Sequence, residues 1–379
     1  GTLVSLLGIG EYLGFVPHWI PSTGRPSSTF GFRNLAAFYL VANLPLAGLL
    51  FLTSRRPFDR WLGALSAAFM FVFLLYTRTR GSWVGLFAAT LLNFGLWALF
   101  ARKTLLESIK TAFDRPALIV TACSVLLVGA LGPLPEGFRE HHTQRFDDKK
   151  ADISSAVASI FKKGGDRDRF VMWWQTLEMI RDHPLLGVGL GNWEYAYPLY
   201  DDGQMVRPEH SPLRPHNDLL WIWSETGPLG LLAYLTLLST CLLLAVRIWR
   251  RASDPHDHLA ALACSITAFA VVGAGCFSFP WERIPPSMLF WLALAVLGIL
   301  ARNPEVSSAP IYRSMRQTRP VVLLIPPLLL TGLGITVRHI GFDYYYVRTA
   351  VAFLKKDSPA IVQEAARAIP FGPFNHQIF

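Results

Sequence analysis

The residues best suited to chemistry lie where a histidine precedes a long apolar run. His216 and Asn217 are followed by nine residues and then by a Gly-x-x-Gly motif that begins at Gly227. An imidazole has a pKa near neutrality and can accept a proton from an attacking hydroxyl. His216 is therefore predicted to be a general base, and a structural role at the start of a helix is the alternative. Asp218 and Glu225 are the carboxylates close enough in sequence to orient its ring.

Arginines form a second group with chemical potential, because a planar guanidinium can make two parallel bonds to a phosphate. Arg169 lies near the start of a predicted helix, where the helix dipole favours anions. A salt bridge to Asp166 or Asp168 is the competing interpretation. Arg78 and Arg80 lie in a short turn between two apolar runs. They are predicted either to bind an anionic ligand or to extend toward lipid headgroups.

Signatures of metal binding and of nucleophilic catalysis are weak in this sequence. His210 and His216 are six positions apart, and no HExxH motif or Gly-x-Ser-x-Gly motif occurs. All four cysteines fall in apolar runs, so neither a disulfide framework nor a zinc site is expected. The glycine-rich stretch 187–191 lacks a strand-to-helix setting and is predicted to be a tight turn rather than a ligand contact. We expect no metal and no cofactor.

The elements that position these residues are apolar helices. The chain is 52% hydrophobic and 16% charged, and several runs approach the roughly 20 residues that cross a bilayer. Helices satisfy their backbone groups internally in lipid, so the predicted fold is an all-α polytopic transmembrane helical bundle. The predicted spans are 35–53, 61–77, 82–101, 116–134, 228–249, 258–279, 285–301 and 320–337, with a weaker ninth at 3–16.

Positive charge is distributed unevenly along the chain, whose net charge is +9. Lysine and arginine are concentrated after the first, third, fifth and seventh spans, which predicts that these connections are cytoplasmic. The opposite face then carries the long loop after the fourth span. In that loop, Phe170, Trp173, Trp174, Leu177 and Ile180 recur at helical spacing, which predicts a helix at the membrane interface that ends before Pro184.

Five parts of the chain are predicted from this pattern. An outward or interfacial segment with a partial span (1–34) precedes membrane helices (35–134). An outward loop with the interfacial helix and the His-Asn motif (135–227) precedes further membrane helices (228–337). The segment 338–379 is predicted to be helical, outward-facing and the start of a repeat domain. Gly1 is not an initiator residue, so the chain is expected to lack its native start.

Several of these segments resemble, in order, the O-antigen ligase and Wzy-type polymerase superfamily of bacterial inner-membrane glycosyltransferases. The spacing of His216, Asn217 and the two glycines is similar to the ligase signature and is the most specific feature. The turn around Arg80 resembles the family's Ser-Arg-Gly/Ala turn. The stretch 25–34 resembles the family's segment before a span. The stretches 169–174 and 183–189 resemble its large periplasmic loop.

The resemblance implies a metal-independent, inverting transferase with a GT-C-type fold. Its donor would be a glycan on undecaprenyl pyrophosphate, and its acceptor would be lipid A-core or a related hydroxyl. His216 would activate the acceptor, while Arg80 and Arg169 would stabilise the departing pyrophosphate. Further substrate-binding candidates are Arg25, Arg33, Arg78, Arg214, Asn217, Glu225 and Arg283.

The same resemblance implies a multi-pass protein of the bacterial inner membrane with its active site facing the periplasm. Membrane lipids would be partners, and nucleic acid would not. Two alternatives remain: a polymerase or protein O-oligosaccharyltransferase with the same donor, and a transporter of anionic solutes. Inverted repeats would favour transport, and the sequence shows no such internal symmetry.

Overall fold

The computed structural model describes residues 1–12, 26–112, 119–120, 123–124, 167–203, 205–206 and 211–302, and scattered positions between 330 and 371 that include 358–368. All regular structure in these residues is helical, as predicted. The chain forms two compact units, 1–301 and 302–379.

The first unit is built on a bundle of apolar helices. Five helices are long and apolar enough to cross a membrane, so the chain is a multi-pass membrane protein. A sixth, of 17 residues, is apolar but shorter. The bundle comprises α1 (Thr2–Tyr12), α2 (Arg33–Thr53), α3 (Pro57–Thr77), α4 (Arg80–Ala112), α7 (Asp218–Arg251), α8 (Pro255–Gly275) and α9 (Ile284–Leu300). The predicted span 320–337 and most of 116–134 lie outside the described residues.

Short connections reverse the chain direction from α2 to α3, from α3 to α4, from α7 to α8 and from α8 to α9, which defines two ends of the bundle. At the first, which we call the site end, Thr79 Oγ1 donates to Asn34 Oδ1 at 3.2 Å and links the α3–α4 turn to α2. At the other, which we call the basic end, Thr104 Oγ1 donates to the Trp249 carbonyl at 3.0 Å. The site end therefore carries the starts of α2, α4, α7 and α9.

A close backbone contact in the bundle lies between α4 and α8. A Cβ on Gly85 would lie 2.6 Å from the Ala274 nitrogen, and a Cβ on Gly273 would lie 2.6 Å from Gly85 Cα. Small residues let membrane helices approach until their backbones touch, which increases packing in a medium without a hydrophobic driving force. This contact fixes α8, and hence the segment that follows it, against α4.

One predicted span boundary is wrong at the site end. The span 258–279 was expected to run to Phe279, but α8 ends at Gly275, and residues 276–279 leave the helix. Phe279 precedes Pro280, and a residue before proline is disfavoured in the α conformation. Its φ of −140° and ψ of 59° are accordingly non-helical. The segment 276–279 is therefore free to line the site described below.

Helix α7 is broken at Gly227, one residue before the predicted span begins. Gly227 has φ 67° and ψ −169°, which only glycine adopts readily. Pro228 has no N–H, so the Ser224 carbonyl cannot complete its helical bond. Val188 N instead donates to the Ser224 carbonyl at 2.8 Å, and Gly189 N donates to the Glu225 carbonyl at 3.0 Å. We call residues 183–191 the glycine loop.

A second small core lies beside the bundle. Helix α5 (Arg167–Asp182) ends before Pro184, as predicted, and packs on α6 (Trp193–Ala196) and the 3-10 turn after it. Met172, Met179, Trp193 and Tyr197 are buried there. The two aromatic rings stack with centroids 4.4 Å apart. On the other face of α5, the apolar side chains of Phe170, Trp174 and Leu177 are exposed.

The second unit contains α10 (Ser358–Ala368). Glu364 on this helix is buried and pairs with Arg348 at 2.8 Å and with Arg367 at 3.2 Å. Tyr345 stacks on Phe371 with ring centroids 5.6 Å apart. These contacts show packed helical structure within the segment predicted to be helical.

Candidate functional site

His216 is held in a defined position by its two neighbours. The Pro215 carbonyl accepts a hydrogen bond from Trp173 Nε1 at 2.9 Å, which ties the residue before His216 to α5. The Asn217 side chain caps α7 by accepting from the backbone N–H groups of Leu219 and Leu220, both at 3.1 Å. Between them His216 has φ 55°, a left-handed conformation that is uncommon outside glycine. The helix cap is therefore Asn217, not His216.

Charge and burial keep the His216 ring neutral. Burial lowers its pKa from 6.5 to about 4, and the nearby guanidinium groups of Arg169 and Arg214 contribute to the same shift. The imidazole therefore carries no proton charge at neutral pH and is able to accept a proton. Arg169 projects from the first turn of α5, so this helix brings both a cation and the Trp173 anchor to the histidine.

Phe279 lies at the centre of the cluster. Its ring centroid is 5.1 Å from that of His216, and the Arg214 and Arg283 guanidinium carbons lie 4.9 and 5.8 Å from it. Cations are attracted to the face of an aromatic ring at such distances. Glu282 forms an ion pair with Arg214 and so limits where that guanidinium can point. Two cations and the candidate base thus surround one apolar ring.

Several buried polar atoms in this cluster have no hydrogen-bond partner among the described residues. They are His216 Nδ1, both carboxylate oxygens of Asp218, Trp221 Nε1, Ser278 Oγ and Arg283 Nε. Buried polar groups in proteins are nearly always paired, so a concentration of unpaired ones calls for an explanation. A site that binds a polar substrate provides one, because the substrate supplies the partners.

The turn with Arg78 and Arg80 lies at the same end of the bundle. Arg78 closes α3 with φ 51°, and Arg80 begins α4. The following residue, Gly81, packs so closely on Phe277 that a Cβ would lie 2.7 Å from the phenylalanine Cβ. This contact places the turn against the segment 276–279 that also carries Phe279. Arg80 is thus adjacent to the cluster, whereas Arg169, Arg214 and Arg283 belong to it.

Arg33 begins α2 at the site end, and its Nη1 is buried without a partner in the described part of the chain. The link between Thr79 and Asn34 connects this helix start to the turn that carries Arg78 and Arg80. Arg25 lies outside the described residues.

Glu225 does not lie beside His216, contrary to the hypothesis that it orients the ring. Its carboxylate is buried at the other end of the helical segment 218–226. It accepts hydrogen bonds from Gly191 N at 2.9 Å and from Trp193 N at 3.1 Å. The glycine loop is accordingly a tight turn held by backbone and carboxylate contacts, as predicted, and Glu225 has a structural role in holding it.

The residues that join the parts of the site were not predicted from the sequence. Phe277 and Phe279 were predicted to lie in a membrane span, and no role was predicted for Glu282. The signal that could have revealed them is Pro280, which ends a helix before it and frees the preceding residues to face the site. Within the described ranges, no group of three or more His, Cys, Asp or Glu side chains is arranged to hold a metal ion.

Comparison with known proteins identified one similar family. Residues 65–235 match the family described as Wzy_C, O-antigen ligase. The match includes Arg78, Arg80, Arg169, Arg214 and His216 and ends just after the break at Gly227. A search of curated proteins found no match.

Proposed function

We propose that the chain, whose residues 65–235 match the O-antigen ligase family, transfers a glycan from undecaprenyl pyrophosphate to a hydroxyl of lipid A-core or a related acceptor. The observation that carries the proposal is the neutral His216 with Arg169 and Arg214 beside it and Phe279 between the histidine and two guanidinium groups. A base next to several cations suits a reaction in which a hydroxyl attacks and a diphosphate leaves.

In the proposed reaction, the proton of the acceptor hydroxyl passes to the imidazole of His216. The hydroxyl oxygen bonds to the anomeric carbon while the bond from that carbon to the diphosphate oxygen breaks, so the configuration inverts. The electron pair of the broken bond stays on the diphosphate. Arg169 and Arg214, with Arg80 and Arg283 nearby, stabilise the charge that develops there.

The arginines make the proton affinity of His216 depend on whether the donor is bound. In the free protein they help to lower the pKa of His216, because their charge opposes that of an imidazolium. A bound diphosphate offsets that positive charge. The affinity of His216 for a proton therefore rises when the donor is in place and the acceptor proton must be removed.

The site end also suits the physical form of such a donor. Its lipid must enter from the bilayer, while its saccharide remains in water. The cluster lies where the bundle meets the loop between α4 and α7, so both parts of one donor can reach it. We propose that this end faces the periplasm of a bacterial inner membrane. The cationic side chains replace a metal in this mechanism.

The test is glycan transfer by the purified full chain in lipid nanodiscs, with EDTA present. Lipid A-core, free glycan and a serine-containing peptide are offered separately with a defined polyprenyl-diphosphate glycan. His216→Ala is expected to abolish transfer, and Arg169→Ala is expected to reduce it strongly. His183→Ala is the matched control, because His183 is an exposed histidine outside the cluster.

The acceptor that receives glycan distinguishes the related activities. Product on lipid A-core supports ligation, extension of free glycan means polymerisation, and product on the peptide means protein glycosylation. Full activity in folded His216→Ala contradicts the mechanism. Absence of transfer together with uptake of anionic solutes into proteoliposomes would favour transport.

A further inference from the structure

The glycine loop presents three leucine side chains outward. Leu185, Leu186 and Leu190 are 74%, 79% and 83% exposed in the structure. Neighbouring large apolar side chains exposed to this degree are unusual on a surface that faces only water, and they mark contact with another apolar phase.

The loop is attached to the point where a membrane-crossing segment begins. Besides the bonds from Val188 and Gly189 to the carbonyls before the break, the Leu185 carbonyl packs directly on Gly227. The segment 228–251 starts at the next residue, and Leu229 in its first turn is also exposed. In a helix that crosses a membrane, such leucines face lipid. The loop leucines thus continue a lipid-facing surface.

Four backbone N–H groups of the loop are paired within the protein. Gly187 N donates to the His183 carbonyl at 3.2 Å, and Val188 and Gly189 donate to α7. Gly191 N donates to the Glu225 carboxylate at 2.9 Å. Irregular backbone enters lipid only when its polar groups are paired within the protein, because lipid offers no partners. These four donors meet that condition.

The residues that precede the loop suit the headgroup layer. Arg181 and Asp182 before the loop and His183 at its start are exposed and polar, and only Pro184 separates them from the exposed leucines. On α5, Trp174 is exposed about two turns before Arg181. Tryptophan and charged side chains favour the membrane–water interface, while leucine favours the acyl region.

We propose that the glycine loop inserts Leu185, Leu186 and Leu190 into the bilayer leaflet at the site end. The loop and His216 lie at opposite ends of the helical segment 218–226, which spans about 14 Å at 1.5 Å per residue. Insertion of the loop thereby fixes the position of the histidine relative to the membrane surface. The proposal rests on the crossing of the membrane by 228–251 and is independent of the glycan-transfer proposal.

The test uses the full chain with Cys123→Ser, so that an added cysteine can be labelled selectively. Leu186→Cys and Leu190→Cys each carry an environment-sensitive fluorophore in phosphatidylethanolamine and phosphatidylglycerol vesicles. The matched control is Asp202→Cys, an exposed polar position in the same part of the chain. Nitroxide lipids and aqueous iodide are the two quenchers.

Lipid-borne nitroxide is expected to quench the labels at 186 and 190 several-fold more than the label at 202, and iodide is expected to show the reverse order. Iodide quenching at 186 and 190 equal to that at 202 would overturn the proposal. Protection of both leucine positions from both quenchers would also overturn it, because protein and not lipid would then cover them. An unchanged thermal midpoint in detergent verifies that each labelled variant is folded.

Discussion

At the scale of single residues, the site is organised by what is placed around His216. A left-handed backbone, a capped helix start and the Trp173 bond fix the residue. The surrounding guanidinium groups then set its protonation. A histidine on an exposed loop would titrate near its ordinary pKa, whereas this one stays neutral across most of the physiological range.

Removing the charge of Arg169 is expected to shift the pH dependence of transfer. In the native protein, burial and then Arg169 and Arg214 lower the pKa of His216 to about 4, so the imidazole is neutral above that pH and can serve as the proposed base. In Arg169→Ala one depressing charge is lost, and the pKa moves back toward 6.5. The acid limb of kcat/KM for the donor should therefore move to higher pH, measured as a full pH profile.

The control for this profile is Arg181→Ala, since Arg181 is exposed at the far end of the same helix and is not among the groups that shift His216. Its acid limb should match that of the native protein. An acid limb that stays in place in Arg169→Ala would show that another group limits proton transfer. Arg169→Ala also removes the proposed stabilisation of the leaving diphosphate. This effect lowers kcat/KM at every pH, but it does not move the acid limb of the profile.

At the scale of helices, the contact between α4 and α8 determines where residues 276–279 lie. Gly85→Ala places a Cβ within 2.6 Å of backbone in α8, so we expect a loss of about 1–3 kcal/mol in stability. Gly95 is on the same helix with open space around it. Gly95→Ala should instead stabilise by roughly 0.5–1 kcal/mol through helix propensity. Thermal unfolding in detergent measures both changes.

Opposite signs for these two substitutions are the expected result. If both variants are stabilised, the backbones of α4 and α8 are farther apart than the structure places them. If both are destabilised, the comparison reports a general sensitivity of α4 and not a specific contact.

The break in α7 yields a separate prediction. Gly227→Ala adds a Cβ that overlaps the Leu185 carbonyl and occupies a conformation costing about 1–3 kcal/mol for other residues. The glycine loop should therefore detach, seen as faster limited proteolysis between residues 183 and 191 and reduced transfer. Gly298→Ala is the control, because Gly298 has open space around it in α9. Equal proteolysis in the two variants would contradict the prediction.

The helices could be predicted from sequence because hydropathy and span length alone determine them. The starts of α2, α3 and α7 lie near charged or proline-bearing positions that are visible in the sequence. The path of 276–279 could not be predicted in the same way, since Phe277 and Phe279 are as apolar as any residue in a span. Nor could the partners of Glu225, because they are backbone groups 32 and 34 residues away.

At the scale of the whole molecule, the two ends of the bundle differ in chemical character. The basic end has dense positive charge on exposed connections, including Arg55, Arg56, Arg250 and Arg251. The site end instead holds its arginines in or beside one partly buried cluster. The sequence predicted the arginines of both ends. It could not predict from spacing which of them approach His216, because that depends on how separate segments pack.

This asymmetry predicts the orientation of the protein in the membrane. Connections rich in arginine remain in the cytoplasm, so Ser253 should be cytoplasmic and Asp202 external. In a Cys123→Ser background, a membrane-impermeant maleimide should label Asp202→Cys in spheroplasts and Ser253→Cys only after permeabilisation. Labelling in the opposite order would mean that the site end faces the cytoplasm.

The seam between the glycine loop and α7 has a consequence for sequence variation. Both bonds of this seam join backbone to backbone, from Val188 and Gly189 to the carbonyls of Ser224 and Glu225. A library that randomises position 188 should therefore deplete proline, which has no N–H to donate, more strongly than other residues among active clones. Apolar side chains should be favoured there, because Val188 packs against the second small core. Selection with deep sequencing measures this; free recovery of proline would mean that the seam is dispensable. At this junction the backbone N–H is the strict requirement, and the side chain has only to fit the packing of the neighbouring core.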